Sequence, residues 1–179
     1  MVMDYKTGNA AINIMDVYYG IKLQLLTYLL VTKQFLSAQQ GEEALPVGML
    51  YYFLKQPRAS LASHGESQQE VIAALEKKLL MPGWIVADKE LVQLIDSTLS
   101  QPGAKSRFIH ATMKKGGDLM SNATYLRQPR ELELLLEYVE ELLQHTGRDI
   151  LAGRIAPVPY RNREGHSTCE YCNYRAICG

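Results

Sequence analysis

The sequence of 179 residues has no excess charge of either sign, since 19 Lys and Arg stand against 19 Asp and Glu. That balance excludes a module that grips nucleic acid through net positive charge alone, while leaving room for a local basic groove. No apolar run approaches the roughly 20 residues of a membrane span, so no membrane partner is expected. Met1 to Gly8 lacks the pattern of a secretory signal. Cysteine is scarce, with three residues that all fall in the last eleven positions. An odd, clustered set is not the even, scattered framework of a secreted disulfide protein, and it points to a reducing, cytoplasmic setting. Repeats and low-complexity segments are absent too. What is present, at 47% hydrophobic residues, is a globular domain large enough to bury a core.

Two stretches then stand out. Val2-Met3-Asp4-Tyr5-Lys6 reads as a short strand, broken by Thr7-Gly8-Asn9. Strand side chains alternate faces, so Asp4 and Lys6 leave the same face together. A carboxylate can hold a divalent cation, and a neighbouring ammonium can orient or polarise a water. An exposed strand-end ion pair is the plainer alternative, and the triplet alone does not choose between them. No helix or strand precedes this one, so the expectation is a piece of a longer protein, truncated at its N-terminal side. The second stretch is the tail, Cys169-x2-Cys172 followed by Cys178. Its spacing suits one metal centre, yet a structural zinc and a four-iron cluster both take four ligands. The fourth is then His166, giving a zinc site, or a residue upstream of Met1; otherwise the three are free thiols.

Between these ends, Val17 to Gln40 reads as one long helix capped by Asp16 and stopped by Gly41, with Tyr18, Ile21, Leu25, Tyr28, Leu29 and Thr32 along one face. Gln24 and Tyr28, four apart, lie one above the other on it. Pro46 opens an apolar and aromatic run, Val47 to Leu54, that should pair with the first strand, the helix forming a right-handed crossover if the two are parallel. Tyr51, Tyr52 and Phe53 read as core, not as a base-stacking platform. A loop from Pro57 to Gln68, a helix from Gln69 to Leu80 and an extended Trp84–Ala87 follow. Asp88 is expected to cap a helix reaching about Leu99. Arg107–Thr112 and Leu119–Ser121 should pair as a hairpin over Lys114–Asp118, with Arg107, Lys114 and Lys115 solvated. Pro129 opens a helix over Arg130–Gly147 or beyond, whose apolar stripe includes Leu132, Leu136 and Val139 and whose acidic face, Glu131, Glu133, Glu137, Glu140 and Glu141, reads as solvated. Ile155 to Tyr160 leads out in extended form. The expected organisation is one domain: a catalytic strand–helix–strand core over 1–56, further helices and a hairpin over 57–128, and the long helix and Cys tail over 129–179.

Taken in order, Asp4-Tyr5-Lys6, Gln24-x3-Tyr28, an aromatic strand and a terminal Cys-x2-Cys-x5-Cys resemble the PD-(D/E)XK nucleases of the RecB-like exonuclease group. More closely, they resemble the C-terminal nuclease domain of the AddB family, the B subunits of bacterial ATP-dependent helicase/nucleases. The resemblance covers essentially the whole chain, and its specificity lies in the order of the motifs and in the tail. It implies an α/β, restriction-endonuclease-like core with a mixed central sheet flanked by helices. It implies that Asp4 and the carbonyl of Tyr5 ligate Mg²⁺, that Lys6 positions the water attacking a DNA phosphodiester, and that Gln24 and Tyr28 hold substrate or that water. Cys169, Cys172 and Cys178 would carry a 4Fe-4S cluster serving as a staple, its fourth Cys outside this chain. The family's further metal-binding Asp, on a preceding strand, is likewise outside it. Implied partners are a single DNA strand from a duplex end and an AddA-like helicase/nuclease subunit, in the recombinational repair of double-strand breaks.

One carboxylate binds Mg²⁺ poorly and three thiolates leave a cluster corner open. The whole protein is therefore expected to be the nuclease, and this piece alone to be inactive and without the cluster. Three rivals stand beside this reading. A CRISPR-adaptation exonuclease has the same motifs in a more compact chain. A non-enzymatic zinc module would use His166 and the three Cys. A catalytically dead nuclease fold would only hold a DNA end or a partner subunit.

Overall fold

A computed structural model describes residues 1–54, 68–154, 156, 158–161, 165 and 167–178. The expected loop over 57–67 and His166 lie outside the described residues. Strand β1 (Val2–Lys6) leads through α1 (Ile14–Tyr18) and α2 (Gln24–Gln40) to β2 (Gly48–Phe53). Then come α3 (Gln68–Leu79), β3 (Gly83–Val86), α4 (Lys89–Ile95), β4 (Leu126–Arg127), α5 (Pro129–Leu151) and a terminal turn, α6 (Arg175–Cys178). The strands form one mixed sheet in the order β1-β2-β3-β4. β1 pairs with β2 as expected, and the two are parallel, Asp4 beside Tyr51 and Lys6 beside Phe53; β2 is antiparallel to β3, and β3 parallel to β4. Among the described residues no helix is long and apolar enough to cross a membrane.

Both faces of the sheet are covered, which is why β2 and β3 are continuous apolar runs rather than alternating ones. On one face Met49, Tyr51, Trp84 and Val86 pack against Leu25, Leu26, Leu29 and Leu30 of α2 and Leu132, Leu136 and Val139 of α5. On the other, Leu50 and Ile85 pack against Val92, Leu99, Ile109, Ala111, Met113 and Leu126. β2 and β3 approach so closely that only glycine fits at two points. A Cβ on Gly83 would collide with the carbonyl oxygen of Met49, and one on Gly48 would stand 2.6 Å from that of Trp84.

Several elements differ from the sequence-based expectations. The single helix over Val17–Gln40 is broken in two. Gly20, at φ 73°, ends α1, and the Asp16 carbonyl accepts from the N–H groups of Ile21 (2.7 Å) and Lys22 (3.3 Å). Asp16 is therefore no N-cap; Asn13 caps α1 through its Oδ1, which accepts from the Met15 N–H at 2.8 Å. Asp88 caps α4 as expected, but the helix stops at Ile95. There Asp96 turns its carboxylate onto the N–H and hydroxyl of Thr98 (3.0 and 2.7 Å) and the hydroxyl of Ser106 (2.6 Å). Burial on its own would raise the pKa of Asp96, and these hydrogen bonds outweigh it, leaving the carboxyl below its ordinary value.

The expected hairpin is a pair of isolated bridges, Lys105–Thr112 and Met113–Leu119, around a turn over Lys114–Asp118. Its inward residues Ile109, Ala111 and Met113 spend themselves on covering the sheet, so the segment packs rather than extending a ladder. Two-residue β4 has too little pattern to be read from sequence. Tyr51 is buried, but Tyr52, expected in the core, is 46% exposed, because it points to the face where its neighbour Tyr5 is also open. The acidic face of α5 is partly structural: Glu131 accepts from the Gln128 N–H, Glu140 from Gln34, and Glu133 and Glu137 pair with Arg130.

Candidate active site

β1 splits its side chains by face: Val2, Asp4 and Lys6 are half-buried toward α2, while Met3 and Tyr5 are exposed on the other side. α2 begins at Gln24 because of the break at Gly20, and its first turn lies over the end of β1. The consequence is one continuous run of polar contacts. Lys6 Nζ is 2.6 Å from Asp4 Oδ2 and donates to Gln24 Oε1 at 3.1 Å. Gln24 Nε2 in turn donates to Tyr28 Oη at 3.1 Å. The amide orientation follows from chemistry: an ammonium can only donate, so the Gln24 oxygen must face Lys6 and its nitrogen must face Tyr28. The Lys6 ammonium also lies 5.4 Å from the ring centre of buried Tyr51. Thus Asp4, Lys6, Gln24 and Tyr28, singled out separately in the sequence, stand together.

The Lys6 ammonium stands 2.6 Å from Asp4 Oδ2 as an ion pair. Asp4 Oδ2 is shut off from solvent and has no hydrogen-bond partner among the described residues; the ion pair is what satisfies it. The Asp4 carboxylate raises the Lys6 pKa above its ordinary 10.5, against a smaller opposing effect of desolvation. Lys6 is therefore a fixed cation at neutral pH, able to donate hydrogen bonds and unable to accept a proton. Burial raises the pKa of Tyr51, and the ammoniums of Lys6 and Lys22 both pull against that rise.

Oxygen donors for a cation are present in part. The Lys6 carbonyl accepts from the Leu54 N–H of the neighbouring chain segment at 3.0 Å. Carbonyls alternate sides along a strand, so that of Tyr5 is directed to the outer, unpaired edge of β1. The Asp4 carboxylate and the Tyr5 carbonyl are hard donors of the kind Mg²⁺ takes, but fewer than it requires. No group of three His, Cys, Asp or Glu among the described residues could hold a metal ion. A cleft of about 460 Å³ opens beside Lys6 and Gln24, walled by the loop at Asn9–Ala11 and the α1–α2 link at Ile21–Leu23, with Tyr51 also lining it. Lys22 and Asn9 in this cleft were missed in the sequence. An unbroken helix would have turned Lys22 about 200° away from Gln24, and the one signal against that helix was Gly20.

The tail is built differently. Cys169, half-buried, lies in a 3-10 turn over Thr168–Tyr171, and Cys172, exposed, directly follows it; both are free thiols. The Cys172 N–H bonds the Cys169 carbonyl (3.1 Å), and the Tyr174 N–H bonds Cys172 Sγ (3.4 Å). An N–H donor aimed at sulfur suits a thiolate that ligates a metal. Cys178 ends α6. Upstream, Tyr160 stacks on Tyr19 with ring centres 4.1 Å apart, and so ties the exit from α5 to the α1–α2 link.

Comparison with known proteins adds a family. The pattern of the PD-(D/E)XK nuclease superfamily matches residues 1–179. The B subunit of the ATP-dependent helicase/deoxyribonuclease of Bacillus subtilis is 32% identical over 180 residues, covering 99% of this chain and 15% of that protein. The like-named protein of Desulforamulus reducens is 34% identical over 178 residues, and that of Ruminiclostridium cellulolyticum 32% over 178, with the same coverage. The chain thus spans about 15% of the length of the relatives it matches.

Proposed function

The chain belongs to the PD-(D/E)XK nuclease superfamily, and from that premise we propose that it supplies the DNA-cleaving site of a B-type subunit of an ATP-dependent helicase/deoxyribonuclease. The observation that carries this reading is the run Asp4–Lys6–Gln24–Tyr28, which joins a strand end to a helix start at a cleft. In hydrolysis of a phosphodiester, a water oxygen bonds to phosphorus as the bond to a sugar oxygen breaks. The water loses a proton and the leaving oxygen gains one. Lys6, always an ammonium here, is no base. It orients the water and donates to the oxygens on which negative charge builds. Gln24 holds the Lys6 head in place, and Tyr28 keeps the Gln24 amide from turning over. Asp4 and the Tyr5 carbonyl would hold Mg²⁺, which when bound polarises a phosphoryl oxygen and acidifies its water. The remaining ligands come from substrate phosphates or from parts of the protein outside this chain.

Cys169, Cys172 and Cys178 are proposed as three ligands of a 4Fe-4S cluster, a reading supported by the N–H···S bond to Cys172. The cluster would act as a staple, with a fourth thiolate from elsewhere in the protein. An AddA-like partner subunit, an ATP-driven motor, a strand fed from a duplex end in the cytoplasm and a role in double-strand break repair complete the proposal; the relatives' names support an ATP-dependent helicase with more than one subunit, and the rest follows from the resemblance of the motifs. In the full-length protein with Mg²⁺, Asp4→Ala and Lys6→Ala are each expected to lower DNA cleavage by roughly 10²-fold or more while ATP hydrolysis continues. Removing Mg²⁺ with a chelator should have the same effect on cleavage. Wild-type cleavage by Asp4→Ala would overturn the assignment. The isolated chain is expected not to cleave DNA at all.

A further inference from the structure

We propose that Lys22 is a second phosphate-binding cation of the cleft, gripping the phosphodiester next to the one that Lys6 addresses, on a single DNA strand. The inference rests on the nuclease reading and deepens it. Three observations carry it. First, the chain is bent to bring Lys22 there. In a continuous helix a residue two before Gln24 points about 200° around the axis from it, whereas the break at Gly20 lets both line one cleft. Second, the ammonium is held rather than trailing in solvent. It pairs with Asp16 Oδ2 at 2.8 Å and donates to the Ala11 carbonyl at 3.3 Å, strapping one wall of the cleft to the other. An ammonium has three hydrogens, and two acceptors leave one for a ligand. Third, the charges are sorted. Lys6 and Lys22 both line the cleft, each with its carboxylate partner, Asp4 or Asp16, set behind it at 2.6 and 2.8 Å. Two held lysines lining one cleft, with the Asn9 and Gln24 amides beside them, suit the phosphates of one strand, whose contacts position it without depending on sequence.

The test uses the full-length protein without ATP, cutting a short single-stranded oligonucleotide across a range of salt concentrations. Lys22→Gln is expected to raise KM roughly three- to ten-fold, leave kcat within about two-fold, and flatten the log–log salt dependence of kcat/KM by about 0.7. Lys22→Arg should keep the wild-type slope. Asp16→Asn, which removes the strap's ion pair but keeps the cation, should also keep that slope, even if the thermal midpoint falls. If Lys22→Gln leaves the slope unchanged, or Asp16→Asn flattens it equally, Lys22 is only a strap and the inference is overturned. Failure of the underlying reading would look different, since Lys6→Ala would then still cleave.

Discussion

Lys6 and Gln24 are 18 positions apart and meet because β1 and α2 are bound into one core. Cys169 and Cys172 are three apart and meet because a single 3-10 turn joins them. Beneath the first pair lie Leu25, Leu26 and Tyr51, all 6% exposed or less. Around the second, Tyr171, Tyr174 and Ile177 are 68–90% exposed. The cleft is therefore shaped by folding itself. Among the described residues the tail's side chains are backed by no comparable core, so packing does little to fix the geometry of its sulfurs. On the proposed function, the chain alone would shape its oxygen-based site, while its sulfur-based site would take shape only with its ligand.

The largest effect that would break this contrast concerns the core. Leu26→Ala should cost about 2–5 kcal/mol, whereas Ile177→Ala should change stability by less than about 0.5 kcal/mol. Chemical denaturation followed by the fluorescence of buried Trp84 would show both, and a tail substitution as costly as the core one would refute the division. Next, Cys172→Ser in the full-length protein should remove most bound iron while leaving the Trp84 unfolding transition of the isolated chain where it was. A shift of that transition would mean that the tail supports the core after all. Smaller still is Tyr28→Phe. It leaves the Gln24 amide without its lock, and cleavage should fall roughly three- to ten-fold with a stability change of about 0.5–1.5 kcal/mol.

The smallest effects are those of pH. The raised pKa of Lys6 means that its pairing with Asp4 contributes fully below its ordinary value of 10.5 and is lost only as pH climbs through a still higher value. On the other side of the sheet, His110 is stacked on Tyr125, and burial lowers its pKa below 6.5. Its contribution is full above 6.5 and fades as pH falls through the lower folded value. Thermal midpoints of His110→Gln against wild type should therefore converge in acid, while those of Lys6→Met and wild type should converge on the alkaline side in strong alkali.

Much of the site was legible because it obeys two short periods. Alternation along a strand paired Asp4 with Lys6, and the four-residue step of a helix paired Gln24 with Tyr28. Those rules act within an element, and they fail where a residue's place is decided by another element. Val17, Leu25 and Leu29 keep helical spacing across the Gly20 break, so periodicity could not reveal it, and Lys22 was lost with it. Asp88 looked like a cap and is one. Asp96 looked like an interior helix residue and is a stop, because its partner Ser106 lies ten residues on. Tyr52 has the composition of a core residue but stands beside Tyr5 at the strand end, beyond the part of that face that Leu50 and its neighbours fill. The four-stranded order depended on β4, whose two residues carry no pattern.

Among the described residues β1 has one side without a neighbour, and that has a colloidal consequence. Its outer backbone groups form a ready template for another extended segment. Soluble proteins usually keep such templates apart by charge, but the two charged side chains of β1, Asp4 and Lys6, cancel each other, and Met3 and Tyr5 present exposed apolar surface. The side chains of β1 thus carry no net charge to repel a second copy. For the isolated chain, concentration and scattering need to be controlled before any unfolding transition is interpreted, because this edge offers its backbone hydrogen bonds to another molecule of itself.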